Sequence, residues 1–417
     1  MSYAEALAQL ASLQGFGVRL GLEGMEPLLE RLGHPERRLN VFHIAGTNGK
    51  GSTAAFLDSI LRQAGYKTGL YTSPHLCRFT ERIRISGAEI SESEVAEMIG
   101  ALLACRGDAT LFEVTTALAF KSFVDHGVDF ALLETGLGGR LDATNVISAP
   151  LATVVTGVAL DHTEVLGSTV EEIAREKAGI FKAGVPAVIA CRDERAEAVL
   201  CEVAQRVGAP ARLFGRDFFA SSAPLGLAGS HQRVNAALAV EALAAAGLSI
   251  ERRATERGLA SARWPGRLEL LAVDLLLDAA HNPEGARSLA EALPALSAGR
   301  AVTLVFGVVE GKDARGLLEP LLPLADRVIF TTPRSDRARD PRSLAALAGS
   351  LGRSDATVEP DLLRAVERAR DGRCLVVAAG SLFLVGAVRA LVTGEKTDPP
   401  GVQDPAAGAS PGKSCSA

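Results

Sequence analysis

The stretch HIAGTNGKGST, residues 43–53, packs Gly46, Gly49 and Gly51, Lys50, and the hydroxyls of Thr47, Ser52 and Thr53 into one short loop. Those residue types together can hold phosphate. Glycines let the backbone approach an anion and adopt positive φ. Free N–H groups at a helix start then point at the phosphate oxygens, with the helix dipole assisting. Lys50 adds a point charge, and Ser52 or Thr53 a hydroxyl. The order is unusual, however. In the common phosphate-loop pattern G-x-x-x-x-G-K-[ST], a hydroxyl follows the lysine directly. Here Ile44 stands where the first glycine belongs, and Gly51 separates Lys50 from Ser52. A plain glycine-rich turn is the alternative, but a lysine and a hydroxyl between a strand and a helix favour phosphate.

Three further stretches carry candidate chemistry. In LLETGLGGRLDATN (132–145), Glu134 closes an apolar run before a glycine-rich turn. A carboxylate at a strand end suits Mg²⁺, which prefers oxygen; position alone leaves this and an ordinary surface ion pair equally open. In VTGVALDHTEVLGSTVEEIAREKAGIFK (155–182), Asp161 and His162 follow another apolar run, and Lys177 lies on the next helical pattern with apolar neighbours after it. A lone histidine is more often structural than a ligand, and a lone helix lysine more often solvated. In LLLDAAHNPEG (275–285), Asp278 and His281 precede a helix whose first turn contains Pro283, a favoured early helix position. Arg267, in WPGRLE, is placed to reach a phosphate held elsewhere.

The elements that must position these residues alternate between short apolar runs and helical patterns. Strands are predicted at 40–45, 68–73, 128–135, 151–157 and 185–190, and helices at 52–65 and 91–105. The second of these helices opens with Ser91 and Glu94 as a capping box. The rhythm restarts with 268–280, long enough for two strands joined by a turn, then 300–309, 325–332 and 374–380. Strands separated by helices imply parallel βαβ units. The expected fold class is therefore α/β, with two domains, each an open, mainly parallel sheet flanked by helices. Pro265 and Gly266 break any helix between the halves. The boundaries expected are 1–262 for the first domain, 263–267 for a linker, 268–392 for a second, smaller domain, and 393–417 for a disordered tail rich in Pro, Gly and Ser.

Composition narrows the function classes. The chain has 417 residues, enough for two cores, and 47% hydrophobic residues. A net charge of -5 without a basic stripe argues against nucleic acid. No apolar run is long enough to span a bilayer, and the start lacks the pattern of a signal peptide. The N-terminal spacing suggests an amphipathic helix. The six cysteines are scattered, which fits free thiols in a reducing cytoplasm.

The motifs AGTNGKGS, YTSPHLCRFTERIRI, ETGLGGRLDATN, LDHTEVLG, REKAGIF, WPGRLE and DAAHNPEG, in this order, resemble those of folylpolyglutamate synthases and dihydrofolate synthases of the Mur ligase superfamily. The resemblance runs from about residue 3 to 392. It implies a first domain of the P-loop-type ATP-binding kind that is the Mur ligase central domain, and a second, Rossmann-like Mur ligase C-terminal domain. It also implies a phosphate loop of this family's own kind, with glycine between the lysine and the hydroxyl. Thr47, Asn48, Gly49, Lys50, Gly51 and Ser52 would then hold the ATP phosphates, with Asn235, Arg267 and Asp278 as further ATP contacts. Ser73, Glu134 and His162 match magnesium ligands, and Lys177 matches a lysine carbamylated in many relatives, which would join them. Phe112, Glu113, Leu141, Asp142 and Ala143 match the region that receives the pterin. His281 matches a histidine near the substrate carboxylate and the incoming glutamate; with Lys50 and Lys177 it makes up the expected catalytic set.

The implied reaction is ATP-dependent addition of L-glutamate to a folate through an acyl phosphate, with Mg²⁺. The same enzyme is expected to convert dihydropteroate to dihydrofolate. Arg19 stands where relatives that accept dihydropteroate often carry an acidic residue, which weighs toward folates. Two rival readings are another Mur-type amide ligase and a non-catalytic nucleotide-binding protein. The first usually carries an extra N-terminal domain, for which about 40 residues before the phosphate loop leave no room. The second has no need of Glu134, His162, Lys177 and His281 together. A cytoplasmic monomer is expected.

Overall fold

The computed structural model describes residues 1–16, 21–370 and 372–402. Among them, two sheets form. The first runs in the order β4-β3-β2-β5-β1-β6-β7-β8. Its strands are β1 (Val41–Ala45), β2 (Thr68–Tyr71), β3 (Ile83–Ile85), β4 (Ala88–Glu89), β5 (Phe130–Glu134), β6 (Ala152–Val155), β7 (Ala187–Ile189) and β8 (Ala211–Leu213). The second runs β13-β12-β11-β14-β10-β9. It contains β9 (Glu269–Ala272), β10 (Leu275–Asp278), β11 (Val302–Phe306), β12 (Arg327–Phe330), β13 (Thr357–Val358) and β14 (Leu375–Ala379).

The central strands β1, β5, β11 and β14 are buried at every residue. That is why they read as continuous apolar runs rather than alternating ones. The pairing is parallel except at β3, β4 and β9, which are antiparallel. The hairpin β3–β4, with β8 and β13, escaped the sequence reading. These strands are two or three residues long and carry exposed or half-exposed positions, so they show no apolar run.

Register decides what the first sheet can do. β1 lies between β5 and β6, with Ile44 opposite Glu134 and Ala45 opposite Val155. The loops leaving these three strands therefore emerge side by side at one carboxyl edge, where ligands of open α/β sheets bind. In the second sheet, Asp278 ends β10 opposite Ala379 of β14, which brings the His281 and Ser381 turns together. The helix Lys50–Gln63 packs Phe56, Leu57 and Ile60 against Phe42 and Ile44 of the first sheet. Phe56 is fully buried, so truncating it to alanine would cost about 3–5 kcal/mol.

Two local expectations need correction. Ser91 accepts the amide of Glu94, but the Glu94 carboxylate accepts a hydrogen bond from Ser122 Oγ at 2.8 Å, so only half of a capping box forms. A disordered tail from 393 does not hold for residues 394–402. Val402 is fully buried in the first sheet's core beside Leu7 and Leu10, and Asp398 bonds to Tyr3. The remainder of the tail, and Arg19, lie outside the described residues.

Candidate active site

The chain leaves β1 and turns at Gly49, whose φ of 89° favours glycine. A Cβ there would also lie 2.5 Å from Asn235 Oδ1. The helix begins directly at Lys50, two residues earlier than its periodicity suggests. The loop is bolted to the exit of β6. Thr47 N–H donates to Gly157 O, Thr156 Oγ1 donates to Asn48 O, and Thr47 Oγ1 accepts from Ala159 N–H. Lys50 Nζ donates to Gly46 O at 2.9 Å and lies 3.8 Å from Glu134 Oε1. The lysine and the strand-end carboxylate thus share one small volume, as the pairing of β1 with β5 requires.

Thr47 to Ser52, Ser73, Glu134, His162 and Lys177 line one cleft of about 1030 Å³. Several of them suit a divalent cation. Ser73 Oγ is buried and has no hydrogen-bond partner among the described residues. Burial lowers the pKa of His162, which favours the neutral imidazole a metal needs. Lys177 is buried, and burial, followed by repulsion from Lys50, brings its amine down to about 7. Among the described residues no group of three His, Cys, Asp or Glu side chains is arranged for a metal. A set drawn from a serine, one glutamate, one histidine and a lysine carbamate would not form such a group.

The same cleft receives Phe112, Glu113, Leu141, Asp142 and Ala143. Two of their carboxylates are already engaged. Glu113 accepts the Thr110 amide in a capping box at the start of the helix Leu111–His126. Asp142 is buried and accepts from Leu137 N–H, Thr144 N–H and Thr144 Oγ1. Burial raises its pKa, against the pull of those hydrogen bonds. Thr144 Oγ1 in turn lies 2.8 Å from Nε2 of the fully buried His43, so β1 supports the Leu141–Ala143 turn as well as the loop 46–52.

The second sheet closes the cleft with Arg267 and His281. Asn235 and Asp278, expected as ligand contacts, are not among its lining residues. Asn235 sits behind Gly49 and donates to Gln232 Oε1. Asp278 accepts the amides of Leu268 and Ala280, bracing the backbone on either side of the Arg267 and His281 positions. His281 Nδ1 lies 2.9 Å from Ala279 O, and burial, then Lys312, lowers its pKa to about 4.

Sequence reasoning singled out Asp161 and His281 but missed Lys312 and the hub through which the three join the two sides. Asp161 Oδ1 lies 2.6 Å from Lys312 Nζ, and its Oδ2 accepts from Asn282 Nδ2 at 3.1 Å and lies 3.6 Å from His281 Nε2. Burial opposes its ionisation, but Lys312, His281 and His162 outweigh that and hold it well below the usual carboxylate range. Asn48 Nδ2 adds a bond to Glu284 at 2.7 Å. The only sequence signal for Lys312 is its place in a glycine-flanked turn just after a buried strand.

The arrangement matches known proteins along most of its length. Residues 44–238 match the Mur ligase middle domain, and 266–382 match the Mur ligase glutamate ligase domain. The chain is 36% identical to a dihydrofolate synthase/folylpolyglutamate synthase of Bacillus subtilis, over 93% of this chain and 98% of that one. It is 40% identical to the Escherichia coli protein of the same description, over 78% of this chain and 80% of that one. The structure of E. coli FolC in complex with DHPP and ADP superposes with a TM-score of 0.87 at 34% identity, covering 94% of this chain and 98% of that one. The Yersinia pestis bifunctional folylpolyglutamate synthase/dihydrofolate synthase complexed with AMPPNP and Mn ion gives 0.86 at 33% identity, covering 94% and 98%.

Proposed function

This chain belongs to the folylpolyglutamate synthase/dihydrofolate synthase family of Mur ligases, and from that premise we propose how its own residues perform the ligation. The chain is an ATP-dependent acid–amino-acid ligase that uses a divalent cation. Its acceptors are folates and dihydropteroate, and its second substrate is L-glutamate. The reading rests above all on one observation: the loop 46–52, Glu134, the low-pKa Lys177 and His281 face a single cleft between two sheets.

The substrate carboxylate attacks the terminal phosphate of ATP to give an acyl phosphate and ADP. The amino group of glutamate then adds to the acyl carbon, and the tetrahedral intermediate expels phosphate to leave the amide. Phosphoryl transfer asks mainly for position and charge neutralisation. The amides of residues 47–52 and Lys50 supply these on one side, and Arg267 on the other. Ser73, Glu134, His162 and a carbamate on Lys177 would hold Mg²⁺, which neutralises charge on the phosphate oxygens when bound. A lysine amine that loses its proton near pH 7 can react with CO₂, and the carbamate turns a cation into an anion at that spot. In this reading His281, neutral at pH 7, takes a proton from the incoming amine. Phe112 and the turn Leu141–Ala143 bind the pterin, while the carboxylates of Glu113 and Asp142 keep those surfaces in place.

Asn235 and Asp278 then contribute to ATP binding by shaping the loop and the Arg267 backbone. We propose that the enzyme acts as a monomer. Free thiols at Cys77, Cys105, Cys191, Cys201 and Cys374 agree with a cytoplasmic setting, and no helix among the described residues is long and apolar enough to cross a membrane. The deciding experiment incubates the protein with ATP, magnesium and glutamate, offering dihydropteroate or tetrahydrofolate, and weighs the products. Addition of one glutamate mass to both, with matching ADP release, is expected. No dihydropteroate product would restrict the enzyme to polyglutamylation, and no product from either would overturn the reading.

A further inference from the structure

The helix Leu382–Thr393 belongs to the second sheet, yet the chain after it returns to the first. Gly394 turns it with a φ of 74°. Thr397 Oγ1 still accepts from Arg334 of the second sheet at 2.7 Å. One residue later, Asp398 Oδ2 accepts from Tyr3 Oη and from Phe79 N–H, each at 2.6 Å, and Asp398 N–H donates to Cys77 O. The segment ends with Val402 fully buried among Leu7, Leu10 and their neighbours. Its carbonyl accepts from Arg82 Nη2 at 3.3 Å.

These contacts converge on one loop. Arg82 is fully buried, and its Nε donates to His75 Nδ1 at 2.8 Å. Glu81 accepts the amides of Leu76, Cys77 and Arg78, which fixes the turn that follows Ser73. From the other side the second sheet grips the same turn. Leu76 packs into its apolar cluster, and Cys77 Sγ lies 3.3 Å from Gly386 O. Gly386 is needed for that approach, since a Cβ there would lie 2.2 Å from Leu76 O. The loop 73–82 is thus clamped between the helix Leu382–Thr393 and the segment that follows it.

We propose that residues 394–402 are a strap that positions the Ser73 loop and thereby ties the two sheets together across the nucleotide cleft. The strap is a second covalent route between the halves, besides residues 262–268. None of its residues lines the cleft. It acts through Asp398 on the Cys77–Phe79 backbone and through the Val402 carbonyl on Arg82 and His75. The proposal rests on the assignment of Ser73 to the metal site given above.

The test compares the full chain with chains stopped after Val402 and after Thr393, and with Asp398→Ala, Asp398→Asn and Ser73→Ala. Binding of ADP with Mn²⁺ is measured by calorimetry, alongside KM for ATP, kcat and thermal unfolding. The chain stopped after Val402 is expected to behave as the full chain. Stopping after Thr393 is expected to weaken Mn²⁺–ADP binding and raise KM for ATP tenfold or more. Asp398→Ala is expected to do so about threefold to tenfold, with Asp398→Asn largely restored because its amide oxygen still accepts both donors. If the shortened chain does not fold, the Asp398 pair decides. Loss of thermal stability with unchanged Mn²⁺–ADP binding in Asp398→Ala would overturn the proposal, leaving the strap a purely structural element. Unchanged binding in Ser73→Ala would instead sink the metal-site assignment on which it rests.

Discussion

Lys312 Nζ lies 2.6 Å from Asp161 Oδ1, an ion pair across the cleft between residues of the two sheets. Both side chains are largely buried, and Asn282 and His281 complete the surroundings of the carboxylate. The pair therefore does two things at once. It helps hold the halves together, and it sets the charge felt by His281. Lys312 lowers the pKa of His281, whereas Asp161 raises it.

Lys312→Met should move that balance. Burial is the main cause of the low value and stays, as does Arg267, but with the Lys312 cation gone the pull of Asp161 is less opposed, and the His281 pKa should rise from about 4 part of the way toward the usual histidine range. The acidic limb of the kcat profile should shift to higher pH in step. Breaking one half of a buried pair should also cost about 1–3 kcal/mol of stability, discounted because the pair keeps some solvent contact. Histidine NMR titration and a pH–rate profile check the shift; an unmoved His281 would exclude the coupling.

Lys50→Ala should abolish ligation while leaving the fold intact. Among the described residues the lysine bonds to the loop's own carbonyls and approaches Glu134. Loss of one preorganised charge at a developing phosphate typically costs about 10²–10³ in kcat. Near-normal ADP release by the folded variant would remove the loop from the mechanism.

Glu134→Gln keeps the shape and removes the charge that favours Mg²⁺. Activity should fall about 10²-fold at ordinary magnesium and recover in part as the metal is raised. Titrating Mg²⁺ and Mn²⁺ against both proteins checks this. Identical metal curves would show that Glu134 is no ligand.

Lys177 gives a pH prediction with a definite sign. Its amine falls from 10.5 in the open chain to about 7 when folded. Between those values the unfolded chain binds a proton that the folded chain does not, so this group makes stability rise with pH from about 7 to 10.5. Below about 7 its destabilising effect is fully present. Lys177→Met should therefore stabilise the CO₂-free protein at pH 7, by up to about 4 kcal/mol, while losing activity. In the wild type, activity lost on CO₂ depletion should return when CO₂ is supplied, and at equal dissolved CO₂ it should return faster at pH 8 than at pH 6, because the free amine is the reactive form. Activity indifferent to CO₂ at both values would rule out a carbamate.

The sequence by itself determined the pieces whose physics is local. The glycine-rich turn from strand to helix at residues 46–52, proposed above as the phosphate loop, was legible because glycine conformation, helix-end amides and one lysine act within a few residues of each other. The central strands were legible because burial on both faces leaves an unbroken apolar run, as in β1 and β5. The positions of Glu134 and His162 after such runs followed directly. Tertiary structure alone decided which strand ends are neighbours, and so which of these residues meet. No periodicity says that β1 separates β5 from β6, or that Lys312 faces Asp161 across 151 positions of chain. Nor does composition reveal that Asp398 reaches Tyr3 from the opposite end of the sequence, within a tail that looked unable to pack. The pKa of Lys177 and the engaged carboxylates of Glu113 and Asp142 belong to the same class. Each depends on burial and on partners supplied from elsewhere, and folding brings those together only by closing long loops whose ends share no local signal.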